Sequence, residues 1–277
     1  VRRSGDGGRL IMSALLTIAR SAVREHSRRK LIAVLVGLSL VTSAVVAWLG
    51  RGGQAGAIFG QDTNLGAVAA LGVLQLVALV AALAVSMGNI GQPFESGQAL
   101  MILARPVARW QFALGRYAAS VVVLTGLCLL MALETQAVQL IAGGKADSDL
   151  WLHWLVVLFN HSVIAAYTTL ISAVISLPVV VAIIAFFFHQ VIGTILGLQR
   201  LVQAQVITGT SVPVIDAIWN LSPKYLVSPL ESGQAKALAE QGELVFSTTT
   251  PGLVVWASAW LLGFLVLSVV ATSRREL

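Results

Sequence analysis

Leu65-Gly-Ala-Val-Ala-Ala-Leu-Gly-Val-Leu-Gln-Leu-Val-Ala-Leu-Val-Ala-Ala-Leu-Ala-Val-Ser-Met87 runs for 23 residues without a charged side chain. As a helix rising 1.5 Å per residue it is about 34 Å long, enough to cross a hydrocarbon core of about 30 Å. A barrel strand would be about ten residues of alternating character, whereas this run is continuously apolar but for Gln75 and Ser86 and is rich in Leu, Val and Ala. Its reading is a membrane-spanning helix.

Runs of the same kind lie at Leu31–Leu49, Tyr117–Ala142, Trp154–Leu177, Val179–Leu198 and Gly252–Ala271. Pro178 separates the fourth and fifth of the six, because one helix through both would be about 67 Å long, roughly twice the core. The composition agrees, with 57% of the 277 residues hydrophobic and 11% charged, which excludes an ordinary soluble domain. The expectation is an all-α integral membrane protein of six transmembrane helices occupying residues 31–277. Residues 1–30 form a leader and a cytoplasmic amphipathic helix. In that helix Leu15, Ile18, Ala19, Ala22 and Val23 recur at helical spacing, and Arg20, Arg24, Arg28, Arg29 and Lys30 gather towards its end. Residues 1–11 carry no functional weight, and no removable signal peptide is read. One cysteine, Cys128, leaves no disulfide to form within the chain.

The net charge of +6 reports orientation rather than a nucleic-acid partner. With both termini cytoplasmic, thirteen of the 18 Lys and Arg residues fall inside and five outside, a positive-inside bias. This places a polar loop, residues 88–116, in the cytoplasm, and a proline-punctuated segment, residues 199–251, on the outer side. The latter is expected to form short surface or re-entrant helices, with a semi-apolar piece at Val212–Leu221. Trp151, Trp154, Trp256 and Trp260 are placed at the outer interface as belt anchors.

Within the cytoplasmic loop, a short helix is expected from Glu95 to Ala104, with Glu95 at its N-terminal end and Arg105-Pro106 as its stop. There is no Gly-x-x-x-x-Gly-Lys-Ser/Thr, no His-Glu-x-x-His and no Gly-x-Ser-x-Gly in a strand-turn-helix setting, so the chain is read as a non-enzyme that binds no nucleotide by that route. The pattern Glu95-x-Gly97, Leu103-Ala-Arg105-Pro106-Val107-x-Arg109, Gly115-Arg116 resembles the cytoplasmic loop of ABC-2-type transporter permeases, in particular those similar to the permease of the nitrous oxide reductase maturation system. The basic N-terminal helix, the six spans, the long outer segment and the ending Arg274-Arg275-Glu276-Leu277 resemble that family too. Arg116 departs from the lysine that often stands there but keeps the charge.

The resemblance implies a permease subunit in a bacterial inner membrane, pairing with a second permease copy as a homodimer and with two copies of a separate ATPase that holds ATP and Mg. It implies that the N-terminal helix and the loop contact that ATPase. Carried onto this sequence, the coupling residues are Glu95, Gly97, Arg105, Pro106 and Arg109, with Gly97 and Pro106 shaping the loop.

Three ionisable residues inside the spans, Glu134, His161 and His189, are costly in hydrocarbon and mark a possible translocation path. Each also has a reading as a packed, hydrogen-bonded side chain. Together they define the alternative class, an ATP-independent channel or proton-coupled carrier. The two histidines alone suggest metal or proton chemistry, but no metal centre is assigned.

Overall fold

The computed structural model describes residues 6–27, 30–51, 65–104, 107–141, 148–203, 206–209, 211–226 and 251–275. Ten helices appear among them: α1 Asp6–Ser27, α2 Lys30–Arg51, α3 Leu65–Ser86, α4 Gly91–Glu95, α5 Gln98–Leu103, α6 Arg109–Ile141, α7 Ser148–Val174, α8 Pro178–Gln203, α9 Val212–Leu221 and α10 Pro251–Arg274. No strand occurs among the described residues. Five helical segments are long and apolar enough to cross a membrane: Gly72–Glu95, Arg109–Val138, Leu150–Val174, Pro178–Gln199 and Pro251–Arg274. The described apolar part of α2, Ile32–Val45, is shorter.

The protein is therefore all-α, built around α3, α6 and α7. Small residues let α3 sit at the centre, where Ala78, Ala81, Ala82 and Val85 are almost wholly buried against its neighbours. Helix α3 packs on α2, α6 and α7, while α10 lies across α7 and α6. At the α7–α8–α10 junction Tyr167, Phe188 and Phe264 meet edge to face, with ring centroids 4.9–6.2 Å apart. Under a fifth of the apolar stretches of α8 and α10 is buried, so these two helices form the rim. Phe186 and Phe187 accordingly point outward while Phe188 joins the core.

Pro178 starts α8 and so separates it from α7 as expected, since a proline is tolerated where the first helical N–H has no partner. Two expectations need correction. The third long helix begins at Arg109 rather than Tyr117, and its 33 residues make about 50 Å of helix, which carries its first two turns beyond an apolar core. Its start is set by Gln111, whose side-chain oxygen accepts from the backbone N–H of Ala108 at 2.9 Å, half of a capping box. Trp154 is not a belt residue. It is 2% exposed, and its Nε1 donates to Thr135 Oγ1 at 3.0 Å, so a core position took an indole whose one donor could be satisfied there.

Candidate functional site: the basic end of the bundle

Helix α3 stops at Ser86, and the chain turns sharply through Asn89 into α4. A backbone break this deeply buried needs partners for its freed N–H groups, and α7 supplies them. Ser172 Oγ accepts from both Ile90 N and Gly91 N at 3.1 Å, while Asn89 Nδ2 donates to Ser120 Oγ and Thr169 Oγ1 at 2.9 Å each. Gly91 is required by contact: a Cβ there would lie 2.6 Å from Ser176 Cα and 3.0 Å from Ile175 O, both backbone atoms.

Beyond this anchor the loop is a pair of short helices and not the single helix Glu95–Ala104. Glu95 ends α4, Gly97 turns the chain in the left-handed region at φ 72°, and α5 runs over Gln98–Leu103. Glu95 thus stands at a helix C-terminus, where a carboxylate gains nothing from the dipole. The short pattern misled because Gly97, read as a loop-shaping residue, interrupts the helix itself. Gly97 keeps its shaping role, as a left-handed residue that other side chains adopt at a cost. Arg105 and Pro106 lie outside the described residues.

One side of the pair is buried and the other open. Ala99 is fully buried, and Phe94 stacks edge-on against buried Phe112 at 6.0 Å. On the open side Met101 is 70% and Leu100 51% exposed, flanked by exposed Gln92, Glu95 and Ser96. Sequence reading missed Leu100 and Met101, because in an apolar chain two more apolar residues carry no signal until the helix phase around Gly97 is known.

The arginines are joints rather than free charges. Arg109 Nη1 donates to the carbonyls of Ser273 at 2.8 Å and Arg275 at 2.5 Å, capping the C-terminal end of α10. The Arg275 guanidinium sits over the Phe94 ring, 5.5 Å from its centroid, and reaches Ser176 Oγ at 3.4 Å. Burial pushes Arg275 down from its usual range, and the nearby Glu95 carboxylate opposes that shift. So α4, α6, α7 and α10 meet within two arginine side chains. Arg116, 2% exposed on α6, forks onto Glu25 of α1, with Nη1–Oε2 at 3.0 Å and Nη2–Oε1 at 3.3 Å. Next to it Gly115 admits α1 closely: a Cβ would fall 2.9 Å from Ile18 Cγ2. The apolar face read in residues 10–29 is accordingly turned to α6, with Ile18 and Ala22 buried and Arg20 and Arg24 exposed.

Glu134 and the two histidines are held by separate partners, although His161 and His189 lie near enough to interact electrostatically. Both oxygens of Glu134 accept from α2, from Ser39 Oγ at 3.1 Å and Ser43 Oγ at 2.9 Å. His161 Nδ1 bonds the Val157 carbonyl at 2.6 Å, one turn back in its own helix, and His189 Nδ1 bonds the Tyr225 hydroxyl at 2.9 Å. Among the described residues no three His, Cys, Asp or Glu side chains cluster as a metal site would require. No model of a known protein family matches the chain, and no curated protein matches it.

Proposed function

We propose that the chain is the permease subunit of an ATP-driven ABC-2-type exporter, with α2 as a sixth span and the end bearing α1, α4 and α5 in the cytoplasm. A separate ATPase hydrolyses ATP with Mg, two permeases pair with two ATPases, and this subunit turns ATPase closure into movement of its helices. The observation that carries the reading is the α4–α5 pair: an exposed apolar tip at Leu100 and Met101 on a base locked to α6, α7 and α10. A solvated connector needs neither an exposed methionine nor a buried polar anchor. The partner surface it fits is an apolar groove with a basic rim facing Glu95.

The sequence loop and its arginine ending support the same reading through their likeness to ABC-2 permeases. On this reading Leu100, Met101 and Glu95 make contact, Gly97 shapes the tip, and Arg109 transmits, a reading supported by the exposure of the first three and the left-handed backbone of Gly97. An ATPase with a phosphate-binding loop encoded beside this chain is expected to co-purify with it. Replacing Leu100 and Met101 by Ser should release that ATPase while the permease stays folded. Undiminished co-purification of the double variant, or the lack of any such ATPase, would sink the assignment.

A further inference from the structure

Between α9 and the last described residue before α10, the chain leaves helical conformation at Ser222 and runs through Pro223, Lys224 and Tyr225 to Leu226. This piece is not on the surface. Ser222, Pro223 and Leu226 are buried, and their contacts descend into the bundle from the end opposite α1. The Ser222 carbonyl accepts from Trp256 Nε1 at 2.9 Å, five residues into α10. Leu226 is held by both main-chain groups: its carbonyl accepts from Asn160 Nδ2 and its N–H donates to Asn160 Oδ1, each at 2.9 Å. Asn160 is twelve residues, about 18 Å, along α7 from that end, and Trp256 about 7 Å along α10. An extended run of four residues spans about 13 Å, which fits that descent.

The segment sits where the rim is weakest. Helices α7 and α8 are joined by a three-residue turn before Pro178, and α8 packs mainly on α7 and α9, with a lighter contact to α3 and one through Phe188 to Phe264 of α10. Towards the far end, α8 is tied to the rest through this segment and α9, by His189 to Tyr225 and by Gln199 Nε2 to Asp216 Oδ1 at 3.0 Å. The Lys224 ammonium lies over the rings of Trp219 at 4.6 Å and Trp256 at 5.6 Å, closing the mouth with two weak cation–π contacts. We propose that Ser222–Leu226 is a removable wedge between α7, α8 and α10, and that its withdrawal opens the far end of the bundle down to the level of Asn160 and His189. Its fastenings suit release. The polar ones are hydrogen bonds and cation–π contacts, each weak net of competition from water, and water entering behind the segment replaces the partners of Asn160 and His189. Its apolar burial is confined to Pro223 and Leu226, with the Tyr225 ring packed against the core beside them.

Withdrawal goes beyond the coupling reading and needs no ATPase to be observed, so its failure is separable from failure of that reading. In a Cys128→Ala background, Ile192→Cys places one thiol on α8, a turn above His189 on the side of the far end, at a buried position. The purified chain is reconstituted in vesicles, and a charged, membrane-impermeant methanethiosulfonate is added to both faces. Adding Asn160→Ala, or separately Tyr225→Phe, should raise the labelling rate about tenfold, since opening becomes easier by one or two hydrogen bonds. Ala119→Cys, also buried in α6 near the basic end, should label at an unchanged rate. No acceleration with either variant overturns the wedge. Equal acceleration at Ile192→Cys and Ala119→Cys overturns it too, because it would mean general loosening.

Discussion

The joint between α1 and the bundle offers the sharpest energetic test. Arg116 is 2% exposed, and Glu25, at 31%, supplies both oxygens to its fork. Glu25→Ala leaves a guanidinium in a buried site without its counter-charge, the costly way to break such a pair, at about 3–5 kcal/mol when both partners are deeply buried. Because a third of Glu25 faces solvent, water recovers part of that, and a loss of about 2–3 kcal/mol is expected. Arg116→Met removes the charge and keeps much of the volume, so it should cost less than Glu25→Ala although it deletes the larger polar group. The double variant should resemble Arg116→Met alone, giving a coupling energy of about 2 kcal/mol in the cycle. Equilibrium unfolding in mixed micelles measures all four proteins, and limited trypsin cleavage near Lys30 reports whether α1 detaches first. If the two single losses simply add, the fork contributes no coupling and the account of α1 docking is wrong.

The close-packed glycines should differ in kind. Gly91→Ala meets backbone atoms at 2.6 and 3.0 Å and should cost more than 2 kcal/mol without rescue, whereas Gly115→Ala meets the Ile18 side chain and should be restored by Ile18→Ala; unfolding of the variant pairs checks both. Ser172→Ala orphans two buried N–H groups and should cost about 2–4 kcal/mol, against about 1 kcal/mol for Thr169→Val; equal losses would contradict the anchor. Arg109→Gln should leave ATPase binding within threefold but lower transport at least tenfold, because the cap on α10 is lost and the exposed tip is not; loss of binding would make Arg109 a contact residue. Glu134→Gln keeps an acceptor for Ser39 or Ser43 and should retain transport; loss of transport in a stably folded variant would favour the proton-coupled carrier.

The long helices were legible because hydrocarbon thickness imposes a length and apolarity that few other structures share. Pro178, the helix at Val212–Leu221 and the amphipathic N-terminal stretch were read from patterns with equally direct causes. The basic end was harder. Its arginines stood out as charges, yet their partners are carbonyls of Ser273 and Arg275, more than 160 residues away, which no local pattern reports. Glu134 shows the same limit. Its place inside a span is visible in the sequence, but whether it lines a path or bonds α2 depends on Ser39 and Ser43 lying four apart on the facing helix. Leu226 is the extreme case, since a leucine in a polar, proline-rich stretch gives no hint that both its main-chain groups bond one asparagine deep in α7.

The two ends of the bundle are fastened by different chemistry, and the difference bears on how motion could pass between them. At the basic end the links are charge-assisted and forked, or involve buried backbone donors, and removing one partner strands a polar group in a dry site. Such joints move as a unit: a displacement of α4 carries α7 through Ser172 and α10 through Arg275 on Phe94, while Arg109 ties α10 to α6. At the far end α8 is retained by single, unforked hydrogen bonds, His189 to Tyr225 and Gln199 to the Asp216 carboxylate, while Lys224 over two indoles ties α9 to α10. A rigid-body tilt imposed at the stiff end is therefore expected to concentrate its strain where α7 and α10 meet Ser222–Leu226, the set of contacts that costs least to break.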